Sequence, residues 1–182
     1  MSRRLAVVLG VACVLLLAVG TAVATGHGGG GGGKHHKVAH HHGGKVRSLA
    51  LFADLNGGNE ISPTTGQPGA GDPDGYGSAS FTFDGDQLCF GITVANLATP
   101  TAAHIHRGRK FENGDVVVPL TPIPATGDPG ASSGCVTVTD AALAADIQAH
   151  PRAYYANVHT GEFPGGAVRG QLKPLGHRHS HH

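Results

Sequence analysis

Through the middle of this chain apolar residues recur at every second position, which commits them to strands with one buried face rather than to helices. Ala79, Phe81 and Phe83 alternate with Ser78, Ser80 and Thr82. After Asp84-Gly85, a tight-turn pair, Leu88, Phe90, Ile92 and Val94 resume the same period. Val136 and Val138 repeat it once more, with Cys135 on the opposite face, as Cys89 is in its own run. Further strands are expected over residues 46–55, 101–107, 116–120, 153–159 and 167–172. One segment reads as a helix: Thr139 or Asp140 caps residues 141–149, and Pro151 stops them. Short strands between Gly- and Pro-containing loops predict an all-β fold, an antiparallel β-sandwich or barrel with one short helix. The 13 basic and 12 acidic side chains exclude a strongly cationic nucleic-acid binder.

The folded region is expected to span residues 46–173. Residues 1–24 read as a signal peptide: Arg3 and Arg4, a continuous apolar run over 5–19, then Ala22-Val23-Ala24 as a cleavage site. Cleavage leaves a secreted, extracytoplasmic protein with no membrane span; the alternative is a chain tethered by the uncleaved segment. Removing the leader also removes Cys13, so Cys89 and Cys135 remain alone. In an oxidising compartment two such cysteines form a disulfide. Their separation of 46 positions excludes a Cys-x-x-Cys metal site.

Histidine is the compositional outlier, with 14 copies. Ten of them fall in two low-complexity stretches, 25–45 and 174–182. The first is a Gly/His-rich disordered linker carrying six, among them His35, His36, His40, His41 and His42; the second is a tail with His177, His179, His181 and His182. Tracts of this kind collect zinc, copper or nickel, or serve as solvated spacers that charge below about pH 6.5.

Between the tails, a series of motifs resembles the CHRD domain, the module named after chordin. The likeness begins with Leu55-Asn56-Gly57-Gly58-Asn59-Glu60 and continues through Gly77-Ser78-Ala79-Ser80-Phe81-Thr82-Phe83-Asp84 and Ala103-His104-Ile105-His106-Arg107-Gly108. It closes with Tyr155-Ala156-Asn157-Val158-His159-Thr160 and the run from Phe163-Pro164-Gly165-Gly166 to Gln171-Leu172. Ile61-Ser62-Pro63 stands where the family usually has Val-Pro-Pro, and the loop over 66–77 is long. The resemblance implies an immunoglobulin-like barrel distantly similar to copper/zinc superoxide dismutases, without an established enzymatic activity.

The chemistry candidates are few. His104 and His106 are two apart on an expected strand, so they share a face, roughly 6.5 Å apart at Cα. His159 ends another strand and shares its face with Asn157 and Tyr155. The resemblance places that residue on a neighbouring loop. Three neutral imidazoles with an open fourth position suit copper, with zinc the alternative. The competing reading is that these histidines only bond loop backbone. Asn157 and Arg169 are accessory candidates: Arg169 either holds an anion near the histidines or pins a loop by pairing with Glu60 or Glu162, the structural role being favoured. His150 is expected to cap carbonyls at the helix end. Asp72-Pro73-Asp74-Gly75 reads as a turn, since the rest of a calcium loop is missing. No phosphate loop, nucleophile elbow or paired catalytic carboxylate is found. The sequence therefore favours a non-catalytic exported metal-binding protein. An extracellular adhesion or protein-interaction module with structural histidines is second. A superoxide dismutase-like enzyme is last, because only His104, His106, His150 and His159 lie in the folded region.

Overall fold

The computed structural model describes residues 50–175. The expected leader, the Gly/His-rich stretch and the histidines from His177 onward lie outside the described residues, as does the first part of the expected opening strand. Among the described residues no helix is long and apolar enough to cross a membrane.

Nine strands form one antiparallel sheet. They are β1 (Ala50–Asn56), β2 (Tyr76–Asp84), β3 (Gln87–Ala95), β4 (Pro100–Arg107), β5 (Val116–Pro119), β6 (Gly130–Thr137), β7 (Tyr154–Thr160), β8 (Val168–Gln171) and β9 (Lys173–Pro174). The spatial order is β5-β4-β7-β8-β1-β2-β3-β6, with β9 adding a short pairing to β1. Hydrogen bonding therefore runs unbroken from one edge to the other. Inward residues from both halves, among them Phe81 and Phe90 on one side and Ile105 and Val158 on the other, share one apolar cluster. Of the two forms expected, this is nearest the barrel: one sheet, with β5 and β6 as its edges, curled until its two halves share a core, all-β with one short helix.

The period-two pattern sets this arrangement. Leu51, Ala53 and Leu55 of β1 face Phe81, Ala79 and Gly77 of β2, which face Phe90, Ile92 and Val94 of β3, each in register. The β2–β3 hairpin closes with Gly85 and Asp86 as its central pair, one residue later than Asp84-Gly85 suggests, since Asp84 is already paired with Gln87. The helix α1 (Ala141–Ala149) is capped by Asp140, whose carboxylate accepts the N–H groups of Ala142 and Leu143. It packs Ala144 and Ile147 into the cluster.

Cys89 on β3 lies directly opposite Cys135 on β6, and the two are bonded. Both lie off the inward stripe, so the bridge ties edge strand β6 to the sheet without entering the core. In the chain-entropy account a bridge across 46 positions contributes about 3–4 kcal/mol. The double change Cys89→Ser/Cys135→Ser should lower unfolding stability by about 2–4 kcal/mol in urea titration. Non-reducing peptide mapping of the native protein should recover the two cysteines as one cross-linked pair.

Candidate metal centre

The outward face of β4, β7 and β8 carries polar side chains that the register brings into rows. His104 pairs with Asn157, which pairs with Arg169; His106 pairs with Tyr155, which pairs with Gln171. His159 stands opposite Ala102, diagonal to His104, where the small alanine leaves room for two rings. An extra residue in β5, Val117, shifts the pairing between Ile105 and His106.

All seven residues of β7 are buried, so this outward face is covered as well as the inner one. Loops do the covering. His106 Nδ1 lies 2.9 Å from the Gly114 carbonyl, and His159 Nδ1 lies 3.0 Å from the Pro164 carbonyl. A carbonyl only accepts, so both Nδ1 atoms carry the proton and both Nε2 atoms present a lone pair. Gly114 is needed for this approach, because a Cβ there would sit 1.5 Å from the Arg107 carbonyl oxygen. His106 and His159 thus bond loop backbone through one ring nitrogen, and the other nitrogen of each ring is left on the side of the remaining histidine.

The Nε2 atom of His159 lies 3.1 Å from His104 Nδ1, and the three rings offer ligand atoms all within 4.8 Å of one another. Two nitrogens bound at 2.0–2.1 Å to one tetrahedral ion would be about 3.3 Å apart. The His106 Nε2 atom is buried without a partner. Loop carbonyls that fix the tautomer from behind are the usual outer support of metal-ligating histidines. The residues present therefore fit a three-imidazole ion site, with His104, the half-buried member, on the solvent side.

Burial is the main electrostatic influence. It pushes His104 down to about 4, with His159 and His106 adding repulsion, and holds His106 and His159 below the ordinary histidine range. The rings are neutral, the form that binds metal. Glu60, raised from the sequence only as a partner for Arg169, is 3 % exposed and pushed up to about 7 by burial, against the pull of Arg169 and Asn157. Its Oε1 has no partner, nor has Oδ1 of Asn157. Gly166, at φ 139, makes room for the carboxyl: a Cβ there would lie 2.2 Å from Oε1.

Arg169 is buried, and its guanidinium lies 3.3 Å from the centre of the Tyr155 ring, which stacks on His106 at 4.8 Å and 8°. It donates to the carbonyls of Arg109 and Glu112 and to Asn113 Oδ1. Its role is to pin a loop, as favoured, but the loop is 109–113 and the partners are carbonyls and an amide rather than Glu60 or Glu162. His150 departs from expectation: its side chain bonds the Asp146 carboxylate at 2.8 Å instead of a carbonyl. A charged acceptor one turn away outcompetes the helix-end carbonyls. Asp72 to Gly75 form the turn expected of them.

The sequence profile of the CHRD domain matches residues 51–172. The chain belongs to the CHRD family. Comparison with curated proteins and with solved structures finds no match in either. Within this CHRD domain, the motifs Ala103 to Gly108 and Tyr155 to Thr160 are the two strands that supply the imidazoles.

The shifts of the histidines and Glu60 have opposite consequences for stability. For the histidines, held low in the folded state, the contribution is present above about pH 6.5 and is lost as pH falls through their folded values. For Glu60, held high, it is present below 4.5 and is lost as pH rises through about 7. Glu60→Gln should therefore remove the alkaline loss, leaving the variant about 1–3 kcal/mol more stable than the parent at about pH 8 and little changed near pH 5. Denaturant titrations at the two pH values check this.

Proposed function

We propose that this CHRD protein is an exported, non-catalytic binder of a transition metal, copper in preference to zinc, with His104, His106 and His159 as its folded site. The observation that carries the reading is the pair of Nδ1–H bonds to Gly114 and Pro164, which leave the Nε2 lone pairs of two buried rings beside a third, His106 Nε2 without a partner and His159 Nε2 within reach of His104 Nδ1. A ring serving structure alone has no need to keep its second nitrogen buried and unpartnered, as His106 does. Copper is preferred because divalent copper binds nitrogen sites more tightly than zinc does. The cysteine bridge suits an oxidising, extracytoplasmic setting. The remaining described histidine, His150, is engaged by Asp146 at the end of α1, so a dismutase-like set of four imidazoles with a bridging ring is not assembled from it.

The histidine-rich stretches 25–45 and 174–182 are read as collectors that raise the local ion concentration around the folded site. Their imidazoles, in contrast to the buried three, should protonate near the ordinary value of about 6.5. Acidification of the copper-loaded full chain should accordingly release metal in two stages. The tails empty between about pH 7 and 5. The folded site empties only as pH approaches about 4, the value to which His104 is pushed.

Copper titration of a truncated form covering residues 46–175 tests the site itself. One equivalent should bind. His104→Ala, His106→Ala or His159→Ala should each weaken binding by more than the roughly 10–100-fold that loss of an outer-shell partner costs. Each variant should keep its fold, because Ile105 and Val158 rather than the histidines supply the core contacts. If the truncated form takes up no stoichiometric copper or zinc, the histidines are structural and the protein-interaction reading replaces this one.

A further inference from the structure

We propose that the exposed cations beside β9 form a binding track for an acidic polysaccharide, a chain of uronate sugars. The proposal does not depend on the metal reading. Residues 50–175 contain all 12 of the chain's Asp and Glu but only six of its Lys and Arg. Arg169 is buried under the loop it holds, and Arg107 is paired with Asp146. The other four, Arg109, Lys110, Arg152 and Lys173, all line one groove of about 770 Å³ between the 109–110 loop, the end of α1 and β9. Lys173 is paired with Asp54, and Arg109, Lys110 and Arg152 are the free cations among the described residues. No acid lines that groove, and Pro151 and Leu172 contribute to its floor. A net-acidic domain that gathers its free cations into one concavity is arranged to receive an anion.

The groove does not end there. A second depression, about 450 Å³, shares Lys110, Gln171 and Lys173 with the first and continues past Phe111. Asp54, which pairs with Lys173, is the only acid lining either depression. A path of this extent suits a linear polymer bearing a negative charge on each unit better than a single small ion. Phe111 strengthens the case for sugar. It is 58 % exposed at φ 71, a left-handed conformation that costs a bulky residue about 1–3 kcal/mol. The hydrogen bonds from Arg169 to Arg109, Glu112 and Asn113 hold the loop in that shape. The exposed ring offers an apolar face to a sugar, while guanidinium groups nearby match carboxylates in two-point contact. A single aromatic ring along the path does not provide the repeated stacking that single-stranded nucleic acid uses. The concave placement of the cations does not fit a flat lipid surface.

The test is titration of the full chain with fluorescently labelled oligogalacturonate at about pH 7.5, where unperturbed imidazoles are neutral. Binding should be lost at about 1 M salt, where the Debye length is about 3 Å. Lys110→Glu/Arg152→Glu should weaken it at least about tenfold, since attraction is replaced by repulsion. Phe111→Ala should weaken it about threefold. Lys34→Glu/Lys37→Glu, in the Gly/His-rich stretch of the sequence, should leave it unchanged, and the groove variants should melt like the parent because Lys110, Phe111 and Arg152 are exposed. The proposal is overturned if no oligogalacturonate binds, or if the Lys34/Lys37 variant loses as much as the groove variant. It is equally overturned if neutral dextran, single-stranded DNA or phosphatidylglycerol vesicles bind the same groove as tightly.

Discussion

Strand β7 is buried along its whole length on both faces, and much of the molecule follows from how its outer face is satisfied. Tyr154, Ala156 and Val158 enter the common core, as the inner residues of a barrel strand should. Tyr155, Asn157 and His159 point the other way and are nonetheless covered. Covering polar groups without partners costs about 1–3 kcal/mol each, so loops that lie over this face must bring acceptors and donors with them. The carbonyls of Gly114 and Pro164 receive imidazole N–H groups, and Arg169 reaches up to fix the 109–113 segment. What the loops leave unsatisfied is concentrated in the same place. Three of the four buried side-chain atoms without partners among the described residues belong to Glu60, His106 and Asn157.

That layer is largely uncharged, although ionisable groups crowd it. Desolvation keeps three imidazoles neutral and pushes Glu60 toward its protonated form, overriding the nearby guanidinium of Arg169. The free cations lie elsewhere, in the groove by β9. Arg169 connects the two regions physically. It stacks against Tyr155, which stacks on His106, and its other bonds shape the loop that displays Arg109, Lys110 and Phe111.

Much of this was readable from side-chain parity. His104 and His106 had to share a face, and His159 had to share one with Asn157 and Tyr155; the β4–β7 register then brings the two sets together. Parity also put both cysteines off the core stripe, where they meet. Asp140 and Pro151 bracket α1 because capping and helix termination are local chemistry. The covering loops were not legible. Arg169 finds Asn113 across 56 positions and Gln171 reaches the Gly108 carbonyl across 63, so no spacing rule connects them. Glu60 was visible only as the end of an Asn-Gly-Gly-Asn-Glu motif and as a candidate partner for Arg169, and its burial depends on the distant Gly166. His150 followed a competitor within the helix, Asp146, that a reading focused on backbone caps overlooks.

The central claim is that loop carbonyls hold His106 and His159 as Nδ1–H tautomers, so that each Nε2 keeps its lone pair for an ion. Long-range proton–nitrogen NMR of the metal-free protein reads this directly, since protonated and lone-pair ring nitrogens resonate far apart. The account predicts two neutral rings with the proton on Nδ1 and a bare Nε2, unchanged as pH falls through the ordinary histidine value of about 6.5. Rings protonated on Nε2, or averaging between tautomers and gaining charge near that pH as free histidines do, would contradict it.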